Sequence, residues 1–194
     1  MARTPSARAH EKVLRAAAEL FAERGIEGTS MDAIAESSTV SKATIYKHWA
    51  DKDALLLDVL EEVNGLKTRP AFDSGNVRND MISVLAYQPD QGVELRNRIT
   101  PHFMAYSARH SEFGDLWRMR VTEPPRRELS TLLRRGVQSG ELQPMDMEMA
   151  LAQLLGPLVY WYVFLRRSQQ TPRLLAEAVV DAFWRAFRTK RIRN

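Results

Sequence analysis

A chain of 194 residues, 44% of them hydrophobic, has the size and composition of one large or two small globular domains. It contains no cysteine, which excludes disulfides, thiol catalysis and thiolate metal sites. No run of about 18 apolar residues predicts a transmembrane helix. The first residues, Met-Ala-Arg-Thr-Pro-Ser-Ala-Arg, lack the apolar stretch of a signal peptide, so a cytoplasmic location is expected. The formal net charge of +4 resides in the tail: Asp181 to Asn194 hold five Lys or Arg and one Asp, and the preceding residues sum to zero. A basic tail of this kind is usually solvated and does not by itself argue for nucleic acid. Arg3 and Arg8 stand ahead of the first helix, where an arm can lie near phosphates or in a minor groove.

Helical periodicity dominates from there on. Residues 8–24 place Val13, Leu14, Ala17, Leu20 and Phe21 on one face and stop at Gly25. Thr29 is a predicted N-cap, paired with Asp32 three residues on, and Ile34, Ala35 and Ser38 share the apolar face that follows. Val40 sits in a turn. Ser41 caps a second short helix, in which Ile45 and Trp49 point to the core and Thr44, Tyr46, Lys47 and His48 stay on or beside the outer face. Two short helices across a tight turn, the second rich in polar and basic side chains, form the pattern that enters a DNA major groove. A fourth helix begins near Asp51 with Leu55, Leu56, Val59 and Val63 inward. Residues 64–76, with Asn-Gly, Arg-Pro and Ser-Gly, read as a boundary loop.

Beyond that loop, helices are expected at about 77–87, 92–109, 112–139, 146–167 and 172–189. Pro101 and Pro124-Pro125 should kink or split the helices that hold them, and Gly156-Pro157 interrupts a strongly apolar one. Leu174, Leu175, Ala178, Val179, Ala182, Phe183, Ala186 and Phe187 cover well over one face of the last helix. A helix packed on one side needs a stripe only somewhat wider than 100°. The excess predicts a second buried surface, either a partner chain or a central place in the fold.

The order Ile34-Ala35, Val40-Ser41, Ile45-Tyr46-x-His48-Trp49 and Asp51-Lys52-x-x-Leu55, with Leu20-Phe21-Ala-Glu-Arg-Gly25 before it, resembles the tetracycline-repressor (TetR) family. The likeness is specific over about residues 10–60. It continues weakly in Leu132-Leu133-Arg-Arg-Gly136, Gly140-Glu-Leu142 and Leu154-Leu-Gly156-Pro157-Leu. The chain departs from the family pattern in two places: Trp49 stands where Phe is usual, and Ser38-Thr39 where Ala-Gly is usual. Glycine suits a turn residue with positive φ, so Thr39 there implies a reshaped turn or strain.

The resemblance implies an all-α fold, about nine helices in total: a three-helix helix-turn-helix DNA-binding domain with its linking fourth helix in residues 1–64, and a ligand-binding and dimerisation bundle in residues 65–194. It implies a homodimer that reads a palindromic operator, and a small-molecule effector of unknown identity. Lys42 and Thr44 are the candidates for base edges. Tyr46, Lys47, His48 and Lys52 are candidates for phosphates, with Thr29, Ser30 and Ser41 at helix starts. Tyr87, His102, Phe103, Tyr106, Trp117, Leu155, Tyr160, Trp161 and Phe164 are candidate pocket residues for a largely apolar or aromatic ligand, although aromatic residues at helical spacing are more often plain core. The dimer face is expected at Leu175, Val179, Ala182, Phe183 and Ala186. No cofactor, metal site or catalytic residue is indicated: the four histidines have no metal-ligand spacing, and Gly-rich phosphate loops and Gly-x-Ser-x-Gly are missing. The expected function is a transcriptional regulator, more often a repressor than an activator in such a family. A helical binding module without specific DNA recognition is the alternative, and Thr39 is what keeps it open.

Overall fold

The computed structural model describes residues 5–89, 93–165 and 172–189, and every structural statement below concerns these. Arg3 and the end of the basic tail, residues 190–194, lie outside them. The fold is all-α: α1 (Pro5–Arg24), α2 (Met31–Ser38), α3 (Lys42–His48), α4 (Lys52–Val63), α5 (Val77–Ala86), α6 (Val93–Arg109), α7 (Ser111–Trp117), α8 (Glu123–Gln138), α9 (Met147–Val159) and α10 (Pro172–Phe187). Single π-helical turns follow α7 (Arg118–Thr122) and α9 (Tyr160–Phe164). Because α7, its π-turn and α8 run on without a break, joining them leaves nine helical stretches, the number expected. Among the described residues the only β pairing is one antiparallel bridge, Leu142 to Arg188. No helix there is long and apolar enough to cross a membrane.

Two compact units emerge. One joins the residues up to Thr68 with Pro89–Thr122, and the other joins Arg69–Gln88 with the residues from Glu123 on. A cut at 64/65 therefore does not coincide with the packing: α6, α7 and the first π-turn belong with the motif.

In the first unit, α1 buries Val13, Leu14, Ala17, Leu20 and Phe21 against α2, α4 and α6. It stops at Gly25, whose φ of 75° and N–H bond to the Phe21 carbonyl (3.1 Å) form a left-handed cap. A Cβ at Gly25 would also lie 3.3 Å from His102 Nδ1, so the helix end doubles as a close approach for α6. Leu55, Leu56, Val59 and Leu60 of α4 are fully buried, each worth about 1.5–3 kcal/mol of burial. The same core takes in Ile99, Phe103, Tyr106 and Phe113 from α6 and α7.

In the second unit, α5 packs between α8 and α10. Its core includes Met81, Leu85, Leu129, Leu133, Leu142, Leu154, Val180 and Phe183. The loop before α5 is held by Arg69. Its guanidinium lies 4.5 Å from the Tyr87 ring centre and 5.1 Å from that of Phe72, and it donates to Glu128 (2.9 Å) and to the Val84 carbonyl (3.1 Å).

The prolines behave differently from one another. Pro101 does not split its helix, and α6 continues through it. Ahead of Pro124-Pro125 the backbone widens into the π-turn at Arg118–Thr122. Such a turn relieves the clash between a proline ring and the carbonyl four residues back. Gly156-Pro157 is likewise tolerated within α9, with the second π-turn just beyond it.

Candidate nucleic-acid interface

The helix-turn-helix is built by side-chain caps. Ser30, not Thr29, caps α2: its Oγ accepts from the Ala33 N–H at 3.1 Å. Thr29 is only 1% exposed, and its hydroxyl donates to the Gly25 carbonyl at 2.8 Å, with that of Leu20 at 3.2 Å. It staples the α1–α2 connection and cannot offer its hydroxyl to a phosphate. Thr39 occupies the turn at φ 56°, ψ 28°, the sole non-glycine with positive φ among the described residues. The turn is therefore not reshaped: the β-branched residue takes the left-handed conformation that glycine favours. Ser41 caps α3, accepting from the Thr44 N–H (3.3 Å), and the two hydroxyls lie 2.9 Å apart. Asp51 caps α4 through the Ala54 N–H at 2.8 Å.

Packing then decides which face of α3 is free. Ile45 and Trp49 are buried at 1% and 2%, as their spacing predicts. Ser41, Lys42, Tyr46, Lys47 and His48 are exposed and Thr44 is half-buried, with Tyr46 at 50%. Lys52 is drawn inward: its ammonium donates to the carbonyls of Ile26 (2.7 Å) and Thr29 (3.1 Å). Those bonds close the three-helix unit and compete with any phosphate. Arg8 is exposed but lies inside α1 and not in an arm ahead of it.

Three relationships escaped the sequence. The Lys42 ammonium meets the Asp32 carboxylate at 2.7 Å, so Asp32 faces α3 instead of completing a capping box. His10 stacks on Trp49 (ring centres 4.6 Å) and meets His48 edge-on (5.7 Å), joining α1 to the end of α3. Trp49 donates to Asp58 at 2.9 Å, and Arg120, from the first π-turn, holds both Asp58 (2.8 Å) and Glu61 (2.7 Å). Burial alone would raise the Asp58 carboxyl, but the bonds from Trp49 and Arg120 outweigh it and hold the group below its ordinary range. Burial, with His48 and Lys67 nearby, lowers His10 against the pull of Asp58 and Glu62. The one signal in the sequence for the bond to Asp58 is Trp49 standing in place of the usual Phe, which adds an N–H donor. The others needed the fold, because their partners are remote in sequence or on different helices.

The pocket candidates fall into both units. His102 abuts Gly25, and the helix that holds it runs on through Pro101 unbroken. Phe103 and Tyr106 are core; burial, then the bond from the Tyr106 hydroxyl to Asp53 (2.8 Å), pushes that phenol up to about 12. Trp117 packs on Phe103 at 5.0 Å. In the second unit, Tyr87 is stacked on Arg69, and Leu155 and Trp161 pack on the core. Tyr160 and Phe164 are 57% and 70% exposed. On α10 the expected dimer face is half corrected. Leu175, Val179 and Phe183 are buried in the chain's own core, whereas Ala182 and Ala186 are exposed in line with Leu174 and Ala178.

A capped helix-turn-helix whose second helix leaves lysine, tyrosine and histidine outward, on an all-helical chain, defines a DNA-binding transcriptional regulator. Residues 13–59 match the model of bacterial regulatory proteins of the tetR family, and residues 71–183 match that of the tetracyclin repressor-like C-terminal domain. The chain belongs to the tetracycline-repressor family, whose members are regulators and not enzymes. It is 28% identical over 175 residues to the uncharacterized HTH-type transcriptional regulator YdeS of Bacillus subtilis, covering 90% of this chain and 87% of that one. To the DNA-binding transcriptional repressor TetR of Mycobacteroides abscessus it is 25% identical over 129 residues, 66% of this chain and 68% of the other. The crystal structure of a TetR transcriptional regulator from Agrobacterium tumefaciens has the same fold, with a TM-score of 0.68 and 23% identity over 97% of each chain.

Proposed function

We propose that the protein is a cytoplasmic homodimeric repressor that binds a palindromic operator through α3 and is released from it by a small, largely apolar or aromatic ligand. The observation that carries the reading is the outward face of α3: Lys42, Tyr46, Lys47 and His48 are exposed on a helix fixed from behind by Ile45 and Trp49. Lys42 and Thr44 read base edges, while Tyr46, Lys47 and His48, with the helix starts at Ser30 and Ser41, hold phosphates. One such helix reads few base pairs. Two on a two-fold axis, about 34–36 Å apart, read successive major grooves.

Residues 1–64 carry DNA reading in this scheme, and residues 65–194 carry the ligand and the dimer. The outward strip of α10, Leu174, Ala178, Ala182 and Ala186, supports a partner chain, since four apolar side chains one turn apart are left exposed among the described residues. Among the pocket candidates, the indole N–H groups of Trp117 and Trp161 are each buried without an acceptor among the described residues. A ligand offering a carbonyl or ether oxygen would satisfy such a group. Induction follows if the ligand prefers a dimer whose recognition helices no longer match the groove spacing.

The test is selection of duplexes from a randomised pool, followed by anisotropy at two salt concentrations. A palindrome is expected, bound more weakly after Tyr46→Phe or Lys47→Ala. No common sequence, with only weak salt-sensitive binding, would overturn the reading in favour of a helical binding module.

A further inference from the structure

We propose that Asp32 is a specificity-determining residue of the DNA-reading surface: it holds the Lys42 ammonium off the phosphates, so that Lys42 donates to a guanine in each half-site. The inference rests on the reading of α3 as the recognition helix.

The geometry is direct. Lys42 is the first residue of α3, and its Nζ lies 2.7 Å from Asp32 Oδ1 in the first turn of α2. The two side chains are 56% and 67% exposed, so the pair lies on the open surface. The fold makes little use of it. Ser30 caps α2, and Met31, Ile34 and Ser38 do its packing. An exposed ion pair adds little to stability.

What the pair does have is a direction and a location. A carboxylate beside the first residue of a groove-reading helix faces a polyanion at close range, and a surface built for phosphates alone has no use for it. An unpaired lysine there is a flexible point charge, and the phosphates are its strongest partners. Bound to Asp32, the ammonium keeps protons free but is held at the junction of α2 and α3. From there a lysine can reach guanine O6 and N7, the acceptors that distinguish G·C in the major groove. The carboxylate thus gives up sequence-independent affinity and gains discrimination, as repulsive elements do in specific interfaces.

The experiment compares the full-length wild type with Asp32→Asn, Asp32→Glu and Lys42→Ala. Each variant is put through duplex selection, anisotropy on the selected and on a random duplex over a salt series, and a thermal melt. The wild type should select guanine at one position of each half-site. Asp32→Asn should lose about tenfold of that preference and bind the random duplex several-fold more tightly. Its log–log salt slope should steepen by about one per half-site, because Lys42 now contacts a phosphate. Asp32→Glu should restore both properties. Lys42→Ala should lose the same guanine preference, and adding Asp32→Asn to it should change the preference no further. If Asp32→Asn fails to fold, Asp32→Ser serves with the same readouts.

An unchanged base preference with only a lower Tm would overturn the proposal and leave Asp32 as a favourable charge at a helix N-terminus. A wild type that selects no sequence would overturn the DNA-reading scheme itself, and the proposal with it. A motif that the variant leaves intact would overturn only the role of Asp32.

Discussion

The indole N–H of Trp49 donates to Asp58 at 2.9 Å, tying the residue that closes α3 to the middle of α4. Asp58 in turn accepts from Arg120 at 2.8 Å, and His10 stacks on the Trp49 ring at 4.6 Å. The end of the DNA-reading helix is thus fixed by charge-assisted bonds as well as by core packing. The phenylalanine usual in the family could supply only the packing.

Trp49→Phe should therefore cost about 1–2 kcal/mol, for a lost hydrogen bond to a charged acceptor that still keeps Arg120. Arg120→Ala should cost more, about 1–3 kcal/mol, because Asp58 and Glu61 would face each other without their shared cation. Urea titrations of the three proteins give the order. Equal stability of wild type and Arg120→Ala would show that solvent screens the network completely.

Thr39→Gly should stabilise the protein by about 0.5–1 kcal/mol. The left-handed conformation at φ 56° costs a β-branched residue about 1–2 kcal/mol, and the extra chain entropy of glycine in the unfolded state cancels part of the gain. A rise in Tm is the expected result, and a fall would mean that the threonine side chain makes a contact worth more than the strain.

Stability should decline in two steps on acidification. His10 is held below its ordinary 6.5, so the unfolded chain takes up its proton first. Stability is lost as the pH falls from 6.5 and levels off once the folded-state value is passed. The charged and titratable groups that act on His10 are His48 at the end of α3, Asp58 and Glu62 on α4, and Lys67 beyond it. Asp58 is also held low, so its contribution is complete above its ordinary 3.8 and disappears as the pH falls below that value. His10→Phe keeps a ring on Trp49 and should flatten the first step alone. Chemical denaturation at about pH 7.5, 5 and 2.5 resolves the two.

Substitutions on α10 should sort by face. Ala182→Glu places a carboxylate on the outward strip and should yield a folded monomer in sedimentation, with loss of operator binding. Phe183→Ala, one residue on, removes a ring that is 4% exposed in the chain's own core and should cost about 3–5 kcal/mol of stability instead. A dimer that survives Ala182→Glu unchanged would place the partner elsewhere.

Much of this molecule was legible in the sequence because local chemistry produces it. Helical spans follow from apolar spacing and from caps such as Ser41, Asp51 and Gly25, all of which act within four residues of themselves. The inward Ile45 and Trp49 and the outward Tyr46, Lys47 and His48 follow from the same periodicity. Tertiary structure decided which of two adjacent candidates served. Ser30 caps while Thr29 is buried, and Ala182 is outward while Phe183 is core. A stripe wider than one face tells that two surfaces exist but not which residues meet which. Tertiary structure also decided the partners of charges. Lys52 turns to two backbone carbonyls more than twenty positions earlier in the chain, Lys42 to Asp32, and Arg120 to α4. Long side chains choose among whatever acceptors folding brings within about 3 Å, and sequence distance carries no record of that choice.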